Sequence, residues 1–166
     1  MKTFILSAGT VLPISSKPLS GASVLVSDGK ISEVAKTPAL LKKHPGVPEI
    51  KLGKGILLPG FVNGHTHLEL GWTQSEIGAL TGFTGWLQQL IASKGAPVLE
   101  EKITASVSEG VKALVSSGVT TVGEISSYGG LDKPILEKSG LRAVLFREIL
   151  DSNEHRTDFN FKPGDG

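Results

Sequence analysis

The chain has 166 residues, enough for one domain or for parts of two. Its hydrophobic content of 39% is typical of a globular protein, and its net charge of +1, without a basic cluster, argues against nucleic acid as a partner. Zero cysteines exclude disulfides and thiolate metal sites. No apolar run approaches the ~18 residues of a membrane span, and the apolar start after Lys2 is too short for a signal peptide, so we expect a cytoplasmic protein without a membrane partner.

The first part of the chain, residues 1–55, has the pattern of short β-strands. Asp28-Gly29 favours a two-residue hairpin, because a type I′ turn needs positive φ at both central positions. The polar stretch that follows contains three prolines, and no element is predicted there. The predicted strands are residues 3–8, 22–27 and 30–34, with 49–52 as a further candidate.

In the second part, residues 56–166, predicted strands alternate with helices. The first helix ends at Gly95 and is expected to bury Trp86 in the core, and the second ends at Gly118. Their apolar residues recur at helical spacing: Phe83, Trp86, Leu87, Leu90 and Ile91, then Ile103, Val107, Val111 and Leu114. Strands are predicted over residues 56–62, 119–125 and 141–150, with a short helix over 134–138. Such alternation predicts a parallel sheet with right-handed crossovers.

Two histidines, His65 and His67, lie at the end of the predicted strand 56–62. Side chains at i and i+2 of a strand point to the same face, so both rings can converge on one ion. Imidazole is a favoured ligand for zinc and iron. The alternative is a pair of structural, hydrogen-bonded histidines. Pro59-Gly60 breaks the preceding segment, and Gly64 is expected to allow close backbone approach beside the first imidazole.

The stretch LPGFVNGHTHLEL, residues 58–70, resembles the PGxxxxHxH signature of the amidohydrolase superfamily. Its NGHTH core is similar to the deaminase and chlorohydrolase branch, and the Leu68-Glu69-Leu70 continuation is most similar to aminofutalosine-deaminase-like members. Weaker similarity extends through GVTTV at 118–122 and GLRAV at 140–144.

The resemblance implies an α/β fold in two parts. Residues 56–166 would be the first three βα units of a (β/α)8 TIM-like barrel, and residues 1–55 the N-terminal half of a small β-sandwich. A full barrel takes roughly 250 residues. We therefore expect a truncated N-terminal portion of a larger enzyme, the alternative being a complete small α/β protein.

The resemblance also implies a metal-dependent hydrolase acting on C–N bonds, most directly by hydrolytic deamination of an adenine-type heterocycle. His65 and His67 would be two ligands of a divalent metal, zinc first and iron second. The family's other ligands, its general acid and its water-orienting residue come from later strands that have no counterpart here, so the chain alone is expected to be inactive. The alternatives are a chlorohydrolase or another cyclic C–N hydrolase, and a non-catalytic truncated or partner-completed chain.

Four residues are candidates for binding the small-molecule substrate. Three interpretations are open for Glu69: a substrate contact, a third metal ligand or a solvated loop residue. Trp72 could stack on a purine-like ring, or pack in a loop. Glu124 and Glu148 lie at strand ends, where barrel carboxylates often line the pocket. The alternative for these two is pairing with a nearby cation such as Arg147 or Arg142.

Two further residues, Asp151 and His155, follow the last predicted strand on the side where active-site loops cluster, or belong to an exposed tail. His44 is expected in a surface loop. A homo-oligomer or a complementing C-terminal portion is expected as the protein partner.

Overall fold

The structure is a computed structural model that describes residues 3–78 and 82–149. The chain divides after Gly60 into two compact units, Met1–Gly60 and Phe61–Gly166, where the sequence predicted a boundary after Gly55. Each unit is described separately below. Within the described residues, no helix is both long enough and apolar enough to cross a membrane.

The first unit is a five-stranded sheet in which the three predicted strands are confirmed. The order is β3-β2-β1-β4, antiparallel except that β4 and β5 run parallel to β1. Asp28 and Gly29 have φ of 51° and 75°, which confirms the predicted turn between β2 and β3. The strands are β1 (Thr3–Val11), β2 (Leu19–Ser27), β3 (Lys30–Lys36), β4 (Glu49–Lys51) and β5 (Ile56–Leu57).

A helix, α1 (Thr37–Lys43), occupies part of the polar stretch for which no element was predicted. Pro38 stands in its first turn, where the missing N–H has no intrahelical partner to lose. Leu40 is fully buried against Ile5 and Leu25, and half-buried Leu41 packs against the same cluster, so these two residues anchor the helix on the sheet. A proline is compatible with the first turn of a helix, so Pro38 does not by itself indicate a loop.

The predicted strand 56–62 is two strands rather than one. Ile56 and Leu57 pair with Thr10 and Val11 of β1 in the first unit. The second strand begins at Phe61, after Pro59-Gly60. Proline has no N–H for a ladder, so the pairing changes at this point.

The second unit is a three-stranded parallel sheet in the order β6-β7-β8, which confirms the predicted alternation. Gly118 and Gly140 follow helix ends with φ of 81° and 78°. A 3₁₀ helix, Leu68–Ser75, comes directly after the two histidines. The other elements are β6 (Phe61–Thr66), α2 (Phe83–Gly95), α3 (Glu100–Ser116), β7 (Val119–Ser126), α4 (Lys133–Ser139) and β8 (Arg142–Arg147).

The core of the second unit lies between α3, α4 and the sheet. Its buried residues are Leu68, Val107, Val111, Val122 and Leu136. Helix α2 was correctly predicted, but none of its described residues is fully buried: Phe83 is 73% exposed and Ile91 61%. Trp86 is half-buried against Phe83, so its placement in the core was wrong.

The β6 and β7 backbones approach each other closely at Gly64 and Gly123. A Cβ on Gly123 would lie 2.5 Å from the carbonyl oxygen of Gly64, a distance that real Cβ atoms do not reach. A Cβ on Gly64 would meet nothing within 4 Å. The glycine that the close approach requires is therefore Gly123, and the role expected for Gly64 was wrong.

We predict that Gly123→Ala lowers the free energy of unfolding of the second unit by about 1–3 kcal/mol, because the atom that it meets is backbone. Urea unfolding followed by tryptophan fluorescence reports this unit, since Trp72 and Trp86 are the chain's two tryptophans. Gly64→Ala is the matched control and should change stability by less than about 1 kcal/mol. Equal losses in both variants would contradict the steric explanation.

Candidate metal centre and carboxylate cluster

The two histidines lie side by side at the end of β6. His65 is in the strand and exposed, while His67 follows the strand and is half-buried. Their ring centroids are 5.1 Å apart with an interplanar angle of 71°. This proximity is what the i, i+2 spacing predicts; the metal-binding role of the pair stays a prediction.

The chemical state of His67 fits a metal ligand. Its Nδ1 is buried and has no hydrogen-bond partner among the described residues. Burial lowers the pKa of His67 and so favours the neutral imidazole, which is the form that binds metal. No three His, Asp or Glu side chains in residues 3–78 and 82–149 are grouped to hold an ion. The two imidazoles therefore fit part of a metal site.

Glu69 is fully buried, so its interpretation as a solvated loop residue was wrong. Its Oε2 accepts the backbone N–H of Ser127 at 2.6 Å and that of Tyr128 at 3.0 Å. Burial raises the pKa of Glu69, against the opposing effect of these two hydrogen bonds. Because the carboxylate bonds the segment after β7, it does not complete a three-residue site with the histidines within the described chain.

Glu124 is the second fully buried carboxyl group and lies near the end of β7. Its Oε1 accepts the backbone N–H of Leu68 at 2.7 Å, so the bond goes to an amide rather than to an arginine. Burial raises the pKa of Glu124 to about 8, and the nearby carboxyl groups of Asp132 and Glu69 add to the rise.

Asp132, which the sequence analysis missed, is the third fully buried carboxyl group. It stands at the N-terminus of α4, and its Oδ1 accepts a hydrogen bond from the Ser126 hydroxyl at 3.0 Å. The signal was present in the sequence, because an aspartate directly before Lys133-Pro134 is typical of a helix start.

Glu148 follows β8 and is paired with a cation, as one alternative predicted. The cation is Lys94 of α2, whose Nζ donates to Glu148 Oε2 and also lies 3.2 Å from the Ser127 hydroxyl. Ser127 donates to the same carboxylate oxygen at 2.8 Å. Burial alone would raise the pKa of Glu148, but hydrogen bonds from Lys94 and Ser127 hold that pKa below its usual value.

Trp72 lies in the 3₁₀ helix, half-buried, with Lys102 Nζ 4.9 Å from its ring centroid. It lines a cavity of about 300 Å³ together with Glu76, Lys102 and residues 96–99. Neither its stacking role nor the substrate contacts of Glu69, Glu124 and Glu148 are tested by this geometry, and they stay predictions.

The remaining candidates are His44, Asp151 and His155. His44 lies in the first unit, where its ring is 3.1 Å from Glu33. Asp151 and His155 fall outside the described residues.

Comparison with known proteins gives one family and a consistent set of relatives. The amidohydrolase family profile matches residues 56–163. The chain is 31% identical to an adenosine deaminase of Helicobacter pylori over 129 residues, which are 78% of this chain and 31% of that protein. The structure of Helicobacter pylori aminofutalosine deaminase in complex with methylthio-coformycin matches with a TM-score of 0.79 and 30% identity, covering 92% of this chain and 37% of that one.

A zinc-bound adenosine deaminase from Xanthomonas campestris also matches in fold, with a TM-score of 0.67 and 22% identity over 86% of this chain and 33% of that one. The mixed α/β fold is therefore that of solved amidohydrolases. The chain spans about a third of the length of the relatives that it matches.

The buried Glu124 predicts a specific pH dependence of stability. Its pKa of about 8 in the folded state exceeds the ordinary value of 4.5, so unfolding releases a proton between these two pH values. The stability that the protonated group provides is complete below about pH 4.5, falls as the pH rises, and is lost above about pH 8. Glu124→Gln removes this dependence.

We therefore expect the variant to gain stability over the parent as the pH rises through this window, by up to about 1.4 kcal/mol per pH unit. Urea unfolding in a chelator, followed by tryptophan fluorescence, measures the difference. Glu109→Gln, at an exposed glutamate of α3, is the control and should give no such trend. Parallel pH profiles for Glu124→Gln and the parent would contradict the assignment.

Proposed function

The chain belongs to the amidohydrolase family, and from that premise we propose that the second unit, which begins at Phe61, supplies the first three βα units of a (β/α)8 barrel. The parallel order β6-β7-β8, with α3 and α4 connecting successive strands, supports this assignment. We further propose that residues 1–55 form the N-terminal half of a small β-sandwich. The antiparallel pairing of β1, β2 and β3 supports it.

We propose that the protein to which this chain belongs carries out hydrolytic deamination of an adenine-type heterocycle. The observation that carries the proposal is the pair of adjacent imidazoles at the end of the first parallel strand, in a chain whose relatives include adenosine and aminofutalosine deaminases. His65 and His67 would hold a divalent metal, zinc in preference to iron. Such an ion supplies the Lewis acidity that makes water nucleophilic near neutral pH.

The chain's own residues have separate tasks in this proposal. His67 presents a neutral ring whose buried Nδ1 is free of hydrogen bonds within the described chain. Glu148 lies close enough to His67 for its charge to raise the pKa of that ring. We propose Glu148 and Trp72 as contacts for the substrate, because both keep exposed surface. Glu69 and Glu124 are less direct candidates, since neither has any exposed surface.

Two alternatives remain as proposals. A chlorohydrolase or another cyclic C–N hydrolase would use the same two histidines. A non-catalytic or partner-completed chain is favoured by a specific observation: residues 3–78 and 82–149 contain no group of three metal-binding side chains. In that case a complementing C-terminal portion, or a second copy, would supply the remaining groups.

The activity is tested on the complete gene product that carries this chain. We expect ammonia release from adenosine or from an aminofutalosine-type nucleoside. His67→Ala should lower the rate of this release by more than about 100-fold, because loss of a metal ligand is more damaging than loss of a residue that only hydrogen-bonds to a ligand. His44→Ala, a variant in the first unit, should keep the parent rate. Full activity in His67→Ala would contradict the deaminase proposal, and so would release of chloride from a chlorinated heterocycle together with no release of ammonia from these nucleosides.

Zinc binding is tested on the 166-residue chain itself. Two imidazoles alone should bind zinc far more weakly than a complete three-ligand site, and His67→Ala should weaken that binding further while His44→Ala should not. Isothermal titration with zinc chloride measures both. Tight stoichiometric binding would mean that the chain contains a third ligand outside the described residues.

A further inference from the structure

We propose that Glu124 is a positioning residue for His67, acting through the backbone N–H of Leu68. The inference rests on the proposed function, because it takes His67 as a metal ligand. It assigns to Glu124 a role different from the substrate contact that the sequence suggested.

The backbone changes direction at His67. The ladder between β6 and β7 is irregular after Asn63, and its last pair is Thr66 with Glu124. His67 has φ of −125° and ψ of 75°, and the 3₁₀ helix begins with the next residue. The ladder therefore ends just before the residue whose ring must be oriented, and another interaction is needed to fix the following peptide.

Glu124 provides that interaction. Its Oε1 accepts the N–H of Leu68 at 2.7 Å, in a buried position. The carbonyl oxygen of His67, at the other end of the same peptide unit, accepts the N–H of Leu70 at 3.0 Å. Rotation of this peptide would break both hydrogen bonds, so the backbone that carries the His67 ring is held at one orientation.

A second carboxylate connects the same two segments, but here the acceptor lies in the 3₁₀ helix and the donors lie after β7. Glu69, two residues after His67, reaches from the 3₁₀ helix to the backbone N–H groups of Ser127 and Tyr128, just after β7. Each strand end therefore supplies a carboxylate to the backbone of the other. Glu124 is the member of this pair that bonds the residue adjacent to His67.

Burial favours this indirect role for Glu124 over a direct contact with the metal or the substrate. Its side chain has no exposed surface, and its second oxygen is also buried, without a hydrogen-bond partner in the part of the chain that the structure describes. Burial of a carboxyl group is costly unless the group forms hydrogen bonds. Glu124 accepts the backbone N–H of Leu68, and the neighbouring backbone N–H of Glu69 also acts on its carboxyl group.

The experiment compares variants of the 166-residue chain that keep or remove the acceptor. Glu124→Gln retains a carbonyl oxygen for the Leu68 N–H, whereas Glu124→Ala and the larger Glu124→Met do not. We expect zinc affinity to fall by at least about 10-fold in the Ala and Met variants and to stay within about 2-fold in the Gln variant. The nuclear Overhauser effect between the His65 and His67 rings should weaken only where affinity falls.

Leu136→Ala is the control for a general loss of stability, because Leu136 is buried in the same core but bonds nothing near His67. It should keep both the zinc affinity and the ring contact. Parent-like affinity and ring contact in folded Glu124→Ala or Glu124→Met, or equal losses in Leu136→Ala, would overturn the proposal. If Glu124→Ala does not fold, the zinc affinity and the ring contact of Glu124→Met test the proposal.

Failure of the proposed function would give a different experimental result from failure of the Glu124 proposal. If His67→Ala leaves zinc affinity unchanged in the parent, then His67 is not a ligand and the metal proposal fails. The ring contact between His65 and His67 still reports whether Glu124 fixes the orientation of His67. In a double-mutant cycle, Glu124→Ala should add little to His67→Ala if both proposals hold, because Glu124 then has no ring to position.

Discussion

The exchange of carboxylate hydrogen bonds between the ends of β6 and β7 is the constraint on which the candidate site depends. Parallel strands end at one edge of a sheet, and there the regular ladder stops while the chain must still place the side chains that follow. Glu124 and Glu69 extend the connection beyond the ladder by bonding backbone amides of the opposite segment. The orientation of His67 therefore depends on residues in two strands.

The cost of this arrangement is the burial of ionisable groups. Glu69, Glu124 and Asp132 are all fully buried; the charge of Asp132 raises the pKa of Glu69, and the charges of Asp132 and Glu69 raise the pKa of Glu124. Hydrogen bonds satisfy one oxygen on each carboxyl group and leave the other without a partner in the described residues. A protonated Glu124 at neutral pH reduces the repulsion and still accepts the N–H of Leu68.

Local patterns predicted most of the elements, because hairpin chemistry, helical spacing and glycine at helix ends act over a few residues. They failed at Pro38 and Pro59, because a proline is compatible with more than one local structure. Pro38 opens α1 instead of breaking the chain, and Pro59 divides one apparent strand into two. The proximity of His65 and His67 followed from strand periodicity alone. The backbone partners of Glu69 and the cation that pairs with Glu148 could not be predicted, since they lie more than fifty positions away in the sequence.

Helix α2 illustrates how unevenly the second unit is held together. Its neighbour α3 buries Ile103, Val107 and Val111, whereas α2 buries none of its described side chains and is tied to the strand ends through Lys94. Segments with little buried surface open locally at a low cost in free energy, so within the described second unit we expect α2 to open more readily than α3. Its amide hydrogens would exchange with solvent well before those of α3, and neutralising one lysine would hasten that opening without disturbing the core.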